Sequence, residues 1–203
     1  MKRFILTLTI IFCSFHFVNA QSSSGQLWGS FESTSMYYVK DTKIVPYWPE
    51  DKDQFASNNY LKLDYNRGNF TAGVQLESYL PVLQGFDFGN DYKRFLLGSK
   101  YIQWQDKGFF VRAGNIYEQF GSGIIFRSYE DRALGINNSI EGVMAKYSYN
   151  NILELKALAG RPRYRTEYLD TWVRGADLTF SIADACRLDN ILLSVEGSYI
   201  NRY

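Results

Sequence analysis

The 203-residue sequence carries 22 Lys+Arg against 21 Asp+Glu, a near-neutral balance that excludes the strongly basic face of a nucleic-acid binder. Hydrophobic residues make up 46% of it, yet its mean hydropathy is only -0.27, as expected of strands that alternate apolar and polar side chains. Its one histidine, His16, and one of its two cysteines, Cys13, lie in the first 20 residues. The rest, with only Cys186, has no intramolecular disulfide, no histidine-containing zinc site and no Ser-His or Cys-His nucleophile.

Residues 1–20 have the layout of a secretory signal peptide. Lys2 and Arg3 form the basic start, an apolar run extends from Phe4 to Phe12, and Val18-Asn19-Ala20 supplies a small-residue cleavage site before Gln21. The apolar run is too short for a spanning helix of about 20 residues. A lipid-modified Cys13 would need a small residue before it, where Phe12 stands. Without Lys2 and Arg3 the mature chain has 20 Lys+Arg against 21 Asp+Glu, a net charge of −1.

Residues 21–203 alternate in period two through nine predicted antiparallel strands. The first covers Gln26 to Val39 and is followed by a long polar connection, Lys40 to Asn58. Strand two, Asn59 to Tyr65, turns tightly at Asn66-Arg67-Gly68-Asn69 into strand three, where Phe70, Ala72, Val74 and Leu76 oppose Thr71, Gly73, Gln75 and Glu77. A second long connection, Pro81 to Lys93, leads to strand four, Arg94 to Trp104. Gln105-Asp106-Lys107-Gly108 then turns the chain into strand five, Phe109 to Gly114.

The third long connection, Asn115 to Ser139, is rich in glycine and charge. Strand six, Ile140 to Tyr147, turns at Ser148 to Asn151 into strand seven, Leu153 to Gly160. The fourth connection, Arg161 to Trp172, leads to strand eight, Gly175 to Ser181; a turn through Asp184 to Asn190 gives strand nine, with Leu193, Val195 and Tyr199 on one face.

Short and long connections therefore alternate, as periplasmic turns and external loops do in bacterial outer-membrane barrels. Tyr65, Phe70, Phe109, Tyr147 and Phe180 flank the short turns as an aromatic girdle would. The predicted fold is all-β: an antiparallel transmembrane β-barrel of up-and-down meander. Such barrels have an even strand number with both ends in the periplasm, so an odd count of nine means either that one strand is miscalled or that the chain is a segment of a longer barrel; the incomplete barrel is the expectation. A secreted soluble β-sandwich is the alternative; it would bury the apolar face that a barrel turns to lipid.

The stretch Ala113-Gly114-Asn115-Ile116-Tyr117-Glu118-Gln119-Phe120-Gly121-Ser122-Gly123-Ile124-Ile125-Phe126-Arg127-Ser128-Tyr129-Glu130-Asp131-Arg132, with Leu134-Gly135-Ile136-Asn137-Asn138 after it, resembles a family of uncharacterised outer-membrane proteins of Bacteroidota. The resemblance implies an outer-membrane β-barrel and a longer chain. It implies no activity and transfers no site residue.

Three groups are candidates for function. The long connection 115–138 carries Tyr117, Glu118, Arg127, Glu130 and Arg132, and a barrel loop of this length can fold inward to narrow a pore. The predicted lumen face holds Lys62, Asp64, Gln75, Glu77, Lys100, Arg112, Glu141, Glu154, Lys156, Asp177 and Glu196, either as a wet pore lining or as a ladder of ion pairs. Arg161, Arg163, Arg165 and Arg174 form a basic cluster around the fourth loop, suited to anionic solutes or lipid phosphates. The expected function is a passive pore or binding barrel for small hydrophilic solutes, with a non-conducting structural or surface-interaction barrel as the alternative. Outer-membrane lipid and an unidentified small solute are the expected partners. No cofactor, metal, nucleic acid or enzymatic activity is expected.

Overall fold

The computed structural model describes residues 25–39, 41, 43, 53–86, 92–188 and 190–203. The signal peptide assigned to residues 1–20 lies outside them, as does much of the first long connection. Twelve strands and one short helix follow in chain order: β1 (Gln26–Tyr37), β2 (Phe55–Arg67), β3 (Phe70–Tyr79), β4 (Phe95–Asp106), β5 (Phe109–Ile116), β6 (Glu130–Asp131), β7 (Ile136–Asn137), β8 (Ile140–Tyr149), β9 (Leu153–Tyr164), β10 (Glu167–Tyr168), β11 (Val173–Ser181), α1 (Ile182–Ala185) and β12 (Ser194–Arg202).

Nine of the strands form an antiparallel meander in the order β1-β2-β3-β4-β5-β8-β9-β11-β12, and these are the nine expected from alternation. β10 adds to the end of β9, and β6 pairs with β7 as a separate two-stranded sheet inside the third long connection. The meander does not close: β1 and β12 are its edges. The fold is thus an all-β antiparallel meander, and a closed barrel is not seen among the described residues.

Tight hairpins form where residues tolerate positive φ. Lys107 (φ 45°) and Gly108 (φ 85°) turn β4 into β5, and Asn150 (φ 46°) and Asn151 (φ 59°) turn β8 into β9. The last connection departs from expectation. It occupies residues 182–193 rather than a turn at Asp184 to Asn190, because Ser181 Oγ accepts the Asp184 N–H at 3.2 Å and caps α1. Leu193 falls outside β12.

Register separates the sheet into two faces. One carries Leu61, Leu63 and Tyr65 of β2, Phe70, Ala72, Val74 and Leu76 of β3, and Ile102 and Trp104 of β4, paired across the strands. It continues through Val111, Ala145, Ala157 and Ala176 to Tyr199. Its large side chains are exposed: Ile102 is 51% accessible, Val143 58% and Val195 57%. The opposite face carries Tyr60, Gln75, Glu77 and Asp177, all buried.

Two residues assigned to the polar face belong to the other one. Lys100 shares parity with Ile102 and Trp104, and Glu141 with Val143, Ala145 and Tyr147; both therefore register on the apolar face. There Lys100 Nζ and Arg161 Nη2 reach the Glu141 carboxylate at 2.9 and 3.0 Å.

The sheet parts between β4 and β5. Their pairing ends at Tyr101 and Gly114, beyond which β4 pairs only with β3, and β5 only with β8. Gly114 sits at φ 112°, and a Cβ there would come 2.1 Å from the Lys100 carbonyl oxygen, so the parting point accepts only glycine. Side chains satisfy the orphaned backbone groups of β4. The Lys100 N–H donates to Asn115 Oδ1 at 2.9 Å, and Arg163, carried in by the β9–β10 hairpin, donates to the Gly98 carbonyl.

Candidate functional site

Charges from distant strands converge on the polar face and on the segment folded onto it. The connection between β5 and β8, residues 117–139, lies across that face and is fastened at three points. The first is apolar: Phe120 is buried with Ile116, Ile140, Met144, Leu158 and Val173. A Cβ on Gly175, near the start of β11, would stand 2.5 Å from Ile200, 2.7 Å from the Tyr199 carbonyl oxygen and 2.8 Å from the Phe120 ring, which together favour a bare backbone there.

The second fastening is Glu118. Its carboxylate meets Lys146 Nζ of β8 at 3.1 Å and Lys156 Nζ of β9 at 3.4 Å. Lys156 also contacts Glu154 at 3.0 Å and donates to the Gln119 carbonyl at 3.3 Å. Burial pushes the Glu118 carboxyl up, but the Gln119 N–H and the two ammonium groups outweigh it and hold the group below the usual glutamate range.

The third is Arg132, which donates to Gln75 Oε1 at 2.9 Å, pairs with Glu32 of β1 and lies 4.6 Å above the Tyr60 ring. Glu130 accepts from Gln75 Nε2 at 2.7 Å. Tyr117, whose hydroxyl accepts from Asn137 Nδ2 at 3.0 Å, is driven above the ordinary tyrosine value by burial and by Glu130.

Beside this segment Arg163 makes hydrogen bonds of 3.2 and 2.7 Å to the two oxygens of Glu77, and both side chains are almost wholly buried. β3 and β9 are separated by β4, β5 and β8, which in a flat sheet would put them about 19 Å apart. Direct pairing therefore requires the sheet to curl toward its polar face. The space enclosed between Tyr60, Glu77, Glu130, Arg132 and Arg163 is small, about 10 Å³.

The sequence-derived candidates divide accordingly. Glu118, Glu130 and Arg132 contact strands of the sheet, whereas Tyr117 is bonded to Asn137 within the connection. Arg112 is on the polar face, 3.8 Å from the Tyr101 ring centroid, and bonded to the Asn115 carbonyl at 2.7 Å and to Gln103 at 3.2 Å. Arg127 is exposed and stacks on Tyr129 at 4.7 Å. Arg161 and Arg163 are not loop residues: β9 runs on to Tyr164, Arg161 registers on the apolar face, and Arg163 is buried against Glu77.

Asn115, read only as the start of the long connection, was not singled out as a site-forming residue. A glycine followed by an asparagine where strand five stops alternating was the available signal. Glu77 and Glu154, two carboxylates of the predicted lumen face, are each held by a cation, Arg163 and Lys156. Among the described residues no group of three or more His, Cys, Asp or Glu is placed to hold a metal.

A family model, described as a family of unknown function (DUF6029), matches residues 1–203. The chain belongs to this family. No curated protein and no solved structure matches it, so membership adds no ligand and no reaction to what the geometry carries.

Proposed function

We propose that this chain forms the wall of an outer-membrane β-barrel, exported by its signal peptide, whose polar interior is narrowed by residues 117–139 and passes or holds small hydrophilic solutes. The observation that carries this reading is the inverted distribution of side chains: large apolar groups are exposed on one face, while Gln75, Glu77 and Asp177 are buried on the other. A soluble sandwich would cover its apolar face with a second sheet. The only second sheet among the described residues is the β6–β7 pair. Lipid suits the exposed face, provided that the free edges of β1 and β12 are joined by further strands, because unpaired backbone groups are untenable in hydrocarbon.

The close packing of Arg163, Glu77 and Arg132 favours a second reading, a barrel with a blocked interior that serves envelope structure or surface attachment. Planar-bilayer conductance of the purified full-length protein separates the two. The pore reading expects a steady current that rises when residues 122–137 are replaced by a short Gly-Ser linker. No current from either protein overturns it in favour of the blocked barrel.

A further inference from the structure

The apolar face is not smooth. One trough of about 680 Å³ has a floor of Ala145, Ala157 and Ala176, which pair in register, and walls that include Tyr147, Leu155 and Leu178. Another, of about 670 Å³, runs over Ala72 and Ala113 between Leu63, Val74 and Ile102. Basic side chains of the same face stand on the side of the long connections. Lys100 lines the second trough. Beside the first, Arg174 pairs in register with Ala159, and Arg161 lies two residues further along β9.

This band holds more positive charge than it neutralises. Lys100 and Arg161 share the single carboxylate of Glu141, and Arg174 lies 4.6 Å from the Tyr203 ring centroid with no carboxylate paired to it among the described residues. Of the two acidic residues in the connection between β9 and β11, Glu167 is taken by Lys93 at 3.3 Å, and Asp170 is exposed.

We propose that this face binds anionic lipid: an acyl chain lies in each trough, and the lipid phosphate is met by Lys100 at one and by Arg161 and Arg174 at the other. The inference rests on the membrane reading above and goes beyond it by naming the lipid chemistry selected. Small residues make room for a methylene chain where larger ones would fill the trough. The guanidinium fork matches phosphate oxygens, and a cation at the edge of an apolar belt stands at headgroup depth. A soluble acidic protein would match the charge but not the continuous apolar surface below it.

The test reconstitutes the full-length chain in phosphatidylcholine vesicles containing either brominated phosphatidylcholine or brominated phosphatidic acid, and reads tryptophan quenching; Trp104 is on this face. Phosphatidic acid is expected to quench with an apparent affinity about fivefold or more above phosphatidylcholine, the effect of one basic residue at an anionic surface. In the Lys100→Gln, Arg161→Gln, Arg174→Gln triple variant the ratio is expected to fall to about one while quenching by phosphatidylcholine persists. Glu141→Gln, which frees two cations, is expected to keep or raise the ratio. Equal quenching by the two lipids in the unmodified protein, or an undiminished ratio in the triple variant, overturns the inference and leaves the membrane reading standing. No quenching by either lipid overturns the membrane reading and this one with it.

Discussion

Glu77 and Arg163 stand 86 residues apart in the chain and bind each other in the interior, where their side chains are 1% and 2% exposed. Two charges taken out of water are tolerable only together, so deleting one strands the other. Glu77→Leu is expected to cost about 3–5 kcal/mol, and adding Arg163→Met should recover much of it by removing the stranded guanidinium. Denaturant unfolding of the single and double variants in detergent measures this. A double variant no more stable than Glu77→Leu would show that the two side chains are not coupled. Nothing in the local pattern singles out Glu77, since Glu154 and Glu196 alternate with apolar neighbours in the same way. Its partner arrives from another hairpin, and a period-two pattern carries no information about distance across the sheet. Parity was legible: Lys100 and Glu141 share odd or even numbering with apolar neighbours, and counting along the strand places them on the apolar face.

For the 117–139 segment, length and composition marked an element able to fold inward, and the structure lays it on the polar face. The two-residue strands β6 and β7 within it are shorter than one alternation and leave no periodic trace. Glu118 makes the docking pH-dependent. Its folded pKa is below the unfolded value of about 4.3, so the stabilisation is fully present above that value and is lost as the pH falls through the lowered one. Amide hydrogen exchange over these residues should therefore stay slow at pH values of about 5 and accelerate only below the ordinary glutamate range. Lys146→Met should move the onset upward. Release already near neutral pH would refute this role for Glu118.

Across the molecule the nine-strand meander was readable because apolar and polar side chains alternate with period two along the long strands, and in the inner strands β2 and β3 the polar set is the buried one. The open edges, the parting of β4 from β5 and the helix α1 were not, since each depends on contacts between segments. The face assignment itself is testable. Leu178 lies in the middle of the apolar face, between Leu155 and Gly197. Leu178→Arg is expected to cost about 2–4 kcal/mol in a bilayer, as a charge turned toward its midplane does. Urea titration in vesicles gives the value, and a change within about 0.5 kcal/mol, normal for a water-facing site, would argue for a solvated face.

The parting between β4 and β5 also sets an order of events. Hairpins such as β2–β3 close over a few residues and form early, whereas contacts between distant segments carry a larger loop-closure cost. The Gly98 carbonyl meets its donor only when Arg163, 65 residues later, comes back across the sheet. Until then the first four strands hold an unsealed seam, and the β9–β10 hairpin is the late piece that shuts it. Assembly of this sheet is thus timed from its C-terminal half.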